Sequence, residues 1–599
     1  MSASKSNVKC ANSRSNRRTG RNAAFEALES RQMMSRTLGD LTKIPITRLL
    51  LPLVVNGTAG NDAITVSYSS GNPGTGPRVT VQVNPTSQNL GYVLFPQPGQ
   101  GVQINGLGGN DKITYSGGIG ANIFAGEGND TIKGGYGSDY IAGEGGMDVI
   151  DGGLGSDFLS GGAGTDTVTY ETRVLNLRVT ADNTANDGES IEKDNVQNDV
   201  EILIGGVGND LLNFYNPATA GWHKIVGGYG NDTLVGSNGP DIIEDGPGND
   251  SVSGGYGDDF LAGTSGNDTL KGGYGRDLVA GGYGNDSLTG DGHLDTLYGD
   301  QGNDTLSGGY AEDILYGGDG DDVLRGDEGN DSLYGQHEDD RLYGGQDNDL
   351  LDGGYGNDGL HGGFGINGGT DKLTGGPGYD RFLHMSPDTI TDLTGTDARV
   401  NFVNGQQVTK SFGGQGGSYT FAGRNWSDAD VELVDTSMHW MTKATGNTRL
   451  LKQFNRAELT LTRQGKQTSG TGTFSADAWN EGSGKISFVN PTVNNVFHEL
   501  GHNFDNEYDF TGWKALSGWT QSDMSANSSY MKGSGNDGWW HLTSAQFATS
   551  YGRTNPYEDF AEVFEANMMK RANLPTGHTV VAGKNTFVDN MIIALAFSA

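Results

Sequence analysis

Residues 494–507, NNVFHELGHNFDNE, contain two histidines and a glutamate in the order His-Glu-x-x-His. On a helix, His498 and His502 lie one above the other on the same face, so their imidazoles can bind one metal ion. Zinc accepts imidazole nitrogen readily, and a catalytic zinc site uses three protein ligands and a water molecule. Glu499 is then placed to take a proton from that water as a general base. The motif predicts a hydrolytic zinc site whose third ligand comes from another part of the chain.

Residues 550–570 offer that third ligand. Asn555 followed by Pro556 is typical of a helix start, because proline in the first turn loses no hydrogen bond. Glu558 and Glu562 are four residues apart and share one face of this helix. We expect one carboxylate to bind zinc and the other to hold a histidine ligand through its second ring nitrogen. The alternative is that Glu558 only closes a capping box with Asn555.

A long repeat array, at about residues 57–384, precedes these motifs. Its nine-residue unit is G-G-x-G-x-D-x-U-x, where U is apolar, as in GGYGNDTLV at 227–235. An aliphatic residue follows each repeated aspartate by two positions, and a tail shifted in phase continues at Asp371 and Asp380. The aspartates predicted to bind calcium are Asp130, Asp139, Asp148, Asp157, Asp166, Asp232, Asp241, Asp250, Asp259, Asp268, Asp277, Asp286, Asp295, Asp304, Asp313, Asp322, Asp331, Asp340, Asp349 and Asp358.

The chemistry of this unit indicates a calcium-dependent solenoid. Glycine permits tight and left-handed turns, and aspartate supplies the hard oxygen that calcium prefers. The short segment after the aspartate is a strand whose aliphatic side chain points into a narrow core. Two units make one coil, so stacked coils place aspartate over aspartate in ladders that repel without a cation. The alternative, a disordered linker rich in glycine and aspartate, gives no reason for aspartate and the aliphatic residue to stay in phase.

The array resembles the RTX calcium-binding β-roll of exported bacterial toxins and proteases. The resemblance implies bound calcium, a parallel β-roll, and export from a calcium-poor cytoplasm to a calcium-rich exterior. Residues 184–206 are similar to a spacer found inside such arrays. Arrays of this family usually lie close to a C-terminal secretion signal, whereas a long segment follows this one, so the export route stays open.

The later motifs resemble the catalytic domain of anthrax lethal factor and its zinc-peptidase relatives. The residues that carry this resemblance are HELGH, SYGRTN, the E-x-F-A-E segment at 558–562, and KNTFVDNMIIAL. By position, the resemblance implies that Glu499 is the base and that Tyr551 is the phenol that stabilises the oxyanion. It implies that the zinc ligands are His498, His502 and Glu558. It also implies that Glu562 does not bind zinc itself but supports one of these ligands.

Composition limits the partners. Lysine and arginine total 39 against 74 aspartates and glutamates, a formal net charge of −35 that argues against a nucleic-acid partner. Cys10 is the single cysteine, so no intrachain disulfide can form. No apolar run reaches the ~18 residues that span a bilayer. A chain this acidic needs bound cations to stay compact.

Together these patterns predict a multidomain protein, a parallel β-roll followed by an α+β metallopeptidase domain of the zincin type. Within the second region, alternation predicts strands at 457–464 and 485–490, and an amphipathic pattern predicts a helix within 428–445. The predicted boundaries are a disordered basic leader at 1–50, the array at 51–384 with a spacer near 171–204, a connecting segment at 385–425, and the metallopeptidase domain at 426–599.

The predicted function is that of an extracellular, monomeric zinc endopeptidase that hydrolyses protein or peptide substrates. It binds one catalytic Zn²⁺ and several structural Ca²⁺, and it neither spans a membrane nor binds nucleic acid. The alternative is a calcium-dependent surface or adhesive protein whose peptidase-like domain is inactive.

Overall fold

The computed structural model describes most of the repeat region and short segments after it. In the repeat region it covers residues 53–69, 78–83, 101–214, 221–363, 369–384, 388–394 and 397–404. Beyond these it covers 409–411, 418–420, 430, 433–439, 458–463, 478–482, 485–488, 530–532, 540–542 and 561. The leader predicted at 1–50 lies outside the described residues. The chain divides into two compact units, Met1–Thr169 with Asn183–Val200 and Tyr170–Asp182 with Glu201–Ala599.

The first unit is a parallel β-solenoid with two strand faces. One face consists of Leu53–Asn56, Val102–Gly108, Ala121–Glu127, Tyr140–Gly146, Phe158–Gly164 and Asn195–Val196. The other face consists of Ala63–Ser69, Lys112–Ser116, Thr131–Lys133, Val149–Asp151 and Thr167–Thr169. Strand Arg78–Val83 pairs antiparallel with Ala63–Ser69, and the short strand Gly188–Glu189 also belongs to this unit.

The second unit repeats this architecture over more coils. One face consists of Leu177–Thr180, Leu211–Asn213, Thr233–Val235, Ser251–Tyr256, Thr269–Tyr274, Ser287–Gly292, Thr305–Tyr310, Val323–Glu328, Arg341–Gln346, Gly359–His361, Arg381–His384 and Ala398–Asn404. The other consists of Ile202–Ile204, His223–Val226, Asp241–Glu244, Phe260–Ala262, Leu278–Tyr283, Thr296–Gln301, Ile314–Asp319, Ser332–His337, Leu350–Tyr355, Lys372–Thr374 and Thr389–Ile390.

The register of these strands follows from the nine-residue repeat. Leu306 pairs with Leu324, and Leu315 on the other face pairs with Leu333, so each pair joins residues 18 positions apart. Two repeats therefore form one coil, which confirms the predicted parallel β-roll. The predicted spacer near 171–204 also contributes strands, Leu177–Thr180 in the second unit and Asn195–Val196 in the first.

A single column of aliphatic side chains forms the core of each strand face. In strand Thr305–Tyr310 the pattern alternates, with Thr305 exposed and Leu306 buried. The buried residue lies two positions after the aspartate, as predicted, and full burial of one leucine stabilises the fold by about 1.5–3 kcal/mol. Fully buried examples are Leu234, Leu261, Leu270, Val279, Leu297, Leu306, Leu315, Leu324, Leu333, Leu342, Leu351 and Leu360.

The sheet of the second unit continues past residue 384. Strand Ala398–Asn404 pairs in parallel with Glu458–Arg463, which pairs in parallel with Lys485–Phe488. Strand Ala478–Gly482 pairs antiparallel with Lys485–Phe488. Strands predicted at 457–464 and 485–490 are thereby confirmed. Two antiparallel pairs are also described, Thr409–Ser411 with Ser418–Thr420 and Tyr530–Lys532 with Trp540–Leu542.

A helix over residues 433–439 lies within the segment predicted to be helical. Val434 and Met438, four residues apart on one face, are fully buried. Asp435 Oδ2 accepts a hydrogen bond from the Tyr343 hydroxyl at 2.9 Å, and Asp435 Oδ1 lies 3.6 Å from the buried Arg381 guanidinium. The helix is therefore joined to the last coils by a buried ion pair. The α+β zincin fold predicted for 426–599 lies mostly outside the described residues.

Candidate calcium-binding turns

The repeated aspartates of the second unit form two buried rows. The amide of Asp286 donates to Asp304 Oδ1 at 2.7 Å, and the amide of Asp304 donates to Asp322 Oδ1 at 2.7 Å. One row runs through Asp210, Asp232, Asp250, Asp268, Asp286, Asp304, Asp322, Asp340, Asp358, Asp380 and Asp397. The other runs through Asp241, Asp259, Asp277, Asp295, Asp313, Asp331, Asp349, Asp371 and Asp388.

The other oxygen of most of these carboxylates is buried and accepts no hydrogen bond within the described residues. This Oδ2 atom is without a protein partner in Asp111, Asp130, Asp148, Asp157, Asp232, Asp250, Asp259, Asp268, Asp277, Asp286, Asp295, Asp304, Asp313, Asp322, Asp331, Asp340, Asp349, Asp358 and Asp380. Asp139, Asp210 and Asp241 differ, because their Oδ2 atoms accept from the amides of Gly135, Gly206 and Ser237. An unsatisfied buried acceptor costs about 1–3 kcal/mol, and more when charged. These rows therefore need a partner such as a cation.

Glycines give each turn its shape beside the carboxylate. Gly282 and Gly284 have φ of 98° and 134°, the left-handed region that favours glycine. Gly281 is required for a different reason. A Cβ there would lie 2.5 Å from Asp286 Oδ2 and 2.9 Å from the carbonyl oxygen of Gly299. A carboxylate oxygen and a carbonyl oxygen thus border the same small space, and both are hard donors of the kind that calcium binds.

Burial makes these carboxylates poor anions without a cation. Burial, the largest cause, together with the charges of Asp286 and Asp300, raises the pKa of Asp304 to about 7, although the amide of Asp286 opposes this shift. At Asp340 the same kind of environment raises the pKa to about 10. A divalent cation would favour the ionised form, because it supplies the opposite charge that the protein does not.

Asparagines next to the aspartates form a second, more exposed row. The amide of Asn249 donates to Asn231 Oδ1 at 2.9 Å, and the amide of Asn267 donates to Asn249 Oδ1 at 2.7 Å. These bonds reach back to the preceding coil, whereas the amide of Asp250 donates forward to Asp268 in the next coil. Adjacent amides therefore tie each turn to both of its neighbours, which accounts for the frequent Asn-Asp pair in the repeat.

The first unit has the same arrangement with fewer coils. One row runs through Asp62, Asp111, Asp130, Asp148 and Asp166. The other runs through Asp139, Asp157 and Asp194. Burial first, then the charges of Asp166 and Asp130, raise the pKa of Asp148 to about 7 against the opposing amide of Asp130. The electrostatic problem is therefore the same in both units.

Every aspartate predicted to bind calcium lies in one of these four rows, and Asp371 and Asp380 extend two of them as their phase-shifted tail indicates. Sequence reasoning missed Asp62, Asp111, Asp194, Asp210, Asp388 and Asp397. Three of these had a usable signal, because glycine, asparagine, aspartate and a later aliphatic residue recur at 60–64, 109–113 and 208–212 outside the nine-residue phase. Calcium binding by each individual aspartate stays a prediction.

The residues predicted to form the zinc site lie outside the described residues. They are the proposed ligands His498, His502 and Glu558, the base Glu499, the phenol Tyr551 and the supporting carboxylate Glu562.

The fold and the rows define a parallel β-solenoid with cation-binding turns. A comparison with protein-family models matches the RTX calcium-binding nonapeptide repeat, in sets of four copies, over residues 116–148, 143–170, 226–261, 235–270, 253–288, 271–306, 307–336 and 338–368. The molecule therefore carries RTX calcium-binding repeats and is a calcium-binding protein. A comparison with curated proteins finds no match. In the part of the chain that the structure describes, no helix is long and apolar enough to cross a membrane.

Proposed function

We propose that the protein is exported, that its repeat array folds around Ca²⁺ outside the cell, and that the array is attached to a zinc endopeptidase. The observation that carries the calcium part is the set of buried Oδ2 atoms without protein partners. Oxygen donors of this type would hold the ion, for example Asp286 Oδ2 and the Gly299 carbonyl oxygen, which border the same space. Bound calcium would supply the charge that lets neighbouring carboxylates stay ionised at close range.

The same rows support an extracellular location. With a net charge of −35, the chain repels itself most strongly where calcium is scarce. An array that stays unfolded in a calcium-poor cytoplasm passes more easily through an export channel, and calcium outside the cell then makes folding favourable. Because no disulfide is available, calcium takes the stabilising role that disulfides have in many secreted proteins.

The peptidase part of the proposal is supported by sequence pattern. His498 and His502 stand at the spacing of two ligands on one helix face, with Glu499 between them. Glu558 is the proposed third ligand, since it would lie in the first turn of the predicted helix, close in sequence to Tyr551. Glu562 would lie one turn later, about 6 Å along the axis of that predicted helix, and is the proposed acceptor for a ligand histidine.

In the proposed reaction the chain's own residues move the protons and hold the intermediate. Glu499 takes a proton from the attacking water while the oxygen of that water forms a bond to the scissile carbonyl carbon. Tyr551 donates a hydrogen bond to the oxyanion that forms. Glu499 then passes the proton to the leaving nitrogen as the C–N bond breaks. Bound zinc would supply a Lewis acid that polarises the water and the carbonyl.

The test compares the full-length protein with its Glu499→Gln variant on a peptide library, in calcium and zinc. We expect cleavage by the wild type, and a loss of about 10²–10⁴-fold in the variant with zinc still bound, because only the base is removed. Near-normal cleavage by the variant would contradict the mechanism. No cleavage by either protein would favour the alternative, a calcium-dependent surface or adhesive protein with an inactive peptidase-like domain.

Measuring the zinc bound by two further variants distinguishes the proposed roles of Glu558 and Glu562. Glu558→Ala should lose zinc, whereas Glu562→Ala should keep it with affinity lowered by about 10–100-fold, the effect of removing an outer hydrogen-bond partner. The reverse order would overturn the ligand assignment and leave the peptidase proposal standing.

A further inference from the structure

One coil of the second unit has an aspartate where the other nine-residue repeats of that unit have their first glycine. At that position in most other coils, a side chain would collide with the neighbouring carboxylate. The first glycine of the unit stands five residues before the aspartate, as Gly227 does before Asp232 and Gly263 before Asp268. In the segment DGPGND at 245–250, Asp245 takes that place before Asp250. A Cβ at Gly227 would lie 2.6 Å from Asp232 Oδ2. An aspartate at this position of the turn therefore directs its side chain toward the row of carboxylates.

The structure shows a cluster of three carboxylates at this coil. One oxygen from each of Asp245, Asp250 and Asp268 lies within 4.8 Å of the others. Asp245 has no exposed surface, and Asp250 and Asp268 are at most 3% exposed. In the part of the chain that the structure describes, no other three carboxylates bring one oxygen each this close together.

Asp245 itself has no other role in the fold that its side chain could serve. Neither Oδ1 nor Oδ2 makes a hydrogen bond of normal length and angle in the part of the chain that the structure describes. The amides of Gly246 and Thr264 lower the pKa of Asp245 only weakly, whereas burial, followed by the charges of Asp268 and Asp250, raises it to about 8. Its backbone already takes part in the coil stacking, since its amide donates to the Ala262 carbonyl and its carbonyl accepts from the Gly228 amide. The Oδ1 atoms of Asp250 and Asp268 accept the amides of Asp232 and Asp250, and their Oδ2 atoms are unpartnered.

A buried carboxylate without a normal hydrogen bond is retained only where something compensates its charge. An uncompensated buried charge costs several kcal/mol, and two further carboxylates close by add repulsion. Glycine is the residue that this position has in neighbouring turns, and it would carry none of this cost. A hard divalent cation is the ligand that three converging carboxylates fit, because calcium affinity rises with the number of charged oxygen ligands.

We propose that Asp245, Asp250 and Asp268 form a calcium site with an additional carboxylate ligand, which binds more tightly than the other turns of the array. The inference rests on the calcium-dependent array proposed above and names the turn that fills first. As calcium rises, this coil is occupied at the lowest concentration and offers a folded template on which the neighbouring coils stack.

Calcium titration of the full-length protein against a fluorescent competing chelator tests this site. Asp245→Asn keeps the size of the side chain and removes its charge, and Asp245→Gly restores the residue of the neighbouring turns. Both variants should weaken the tightest binding step by about tenfold or more, as expected for the loss of a charged ligand, while the weaker steps remain. Glu328→Gln is the matched control. Glu328 is exposed at the end of strand Val323–Glu328 and lies outside the aspartate rows, so its variant should bind as the wild type does.

The outcomes separate this inference from the proposed function. Normal wild-type calcium binding with an unchanged tightest step in both Asp245 variants would overturn the site alone. Absence of calcium binding by the wild type would overturn the calcium-dependent array and this site with it. Circular dichroism at saturating calcium checks that each variant is folded. If Asp245→Asn does not fold, Asp245→Gly still tests the site.

Discussion

The two units build the same aspartate rows from sequences of very different regularity. In the second unit, bonded aspartates are 18 residues apart from Asp232 through Asp358. In the first unit, the interval is 49 residues between Asp62 and Asp111, 19 to the next aspartate, and 37 between Asp157 and Asp194. The amide-to-Oδ1 distances in these irregular steps, 2.6–2.9 Å, match those of the regular steps. The fold preserves the row, whereas the length of chain between its members varies.

Polymer physics explains why the insertions are tolerated. The entropic cost of closing a loop rises only with the logarithm of its length, about 0.6 kcal/mol for each doubling. Losing one aspartate from a row instead removes a carboxylate oxygen from a potential cation site and an acceptor from a neighbouring amide. The comparison therefore indicates that the carboxylate rows, and not the nine-residue period, carry the function.

Core substitutions give the largest expected effect and test whether the two units are built alike. Leu306→Ala in the regular unit and Ile123→Ala in the irregular one should each lower the free energy of unfolding by about 2–5 kcal/mol, because both side chains are fully buried. Urea unfolding at saturating calcium measures this, with Thr305→Ala and Asn122→Ala as exposed neighbours for control. A much smaller cost at Ile123 would mean that the irregular unit is not packed as the regular one is.

Raising the pH should lower the stability of the calcium-free fold in both units. Burial raises the pKa of Asp148 and of Asp304 from 3.8 to about 7, so the folded state binds protons that the unfolded state has released. The protonated carboxylates stabilise the fold fully below about pH 4, and this stabilisation is lost as pH rises through about 7. Circular dichroism of calcium-stripped protein should show strand signal falling from pH 4.5 to 8.

Calcium should reverse that dependence, because protons and calcium compete for the same oxygens. The calcium concentration at half folding should therefore fall as pH rises. Strand signal that increases with pH in the calcium-stripped protein would contradict the buried, unpartnered carboxylates described above.

Single aspartate variants give the smallest effect and test the comparison most finely. Asp111→Asn and Asp304→Asn keep an acceptor for the neighbouring amide and remove one charge from a row with many members. Each should raise the calcium concentration at half folding by on the order of a few-fold. Glu328→Gln, which removes an exposed charge outside the rows, is the control. If Asp304→Asn acts and Asp111→Asn does not, the irregular row does not serve the same purpose.

The regular array could be predicted from sequence because one period sets its fold and its candidate ligands together. An aspartate every nine residues with an aliphatic residue two positions later leaves one stacking register, and the structure has that register. Asp62 carries the local glycine–asparagine–aspartate signal, but its position in a row, like that of Asp194, could not be predicted from the period. Their row neighbours lie 49 and 37 residues away, and only the strand pairing brings them together.

Contacts between distant residues, and single residues that depart from the repeat, could not be interpreted from the sequence alone. The helix at 433–439 follows from its apolar pattern, but the Asp435–Arg381 ion pair depends on where the last coils end. In the sequence Asp245 is one more acidic residue of an acidic chain. Its proposed role as a ligand follows from the glycine position that it occupies and from the two carboxylates beside it in the structure. The zinc residues from His498 to Glu562 remain predictions from spacing and resemblance.

The central claim is that the aspartate rows require a cation, and far-ultraviolet circular dichroism of the full-length protein across a calcium titration at pH 7.5 tests it most directly. We expect little strand signal in a strong chelator and a cooperative rise as calcium is added, with magnesium a poor substitute because it releases its water ligands reluctantly. Equal strand signal with chelator and with saturating calcium would contradict the claim.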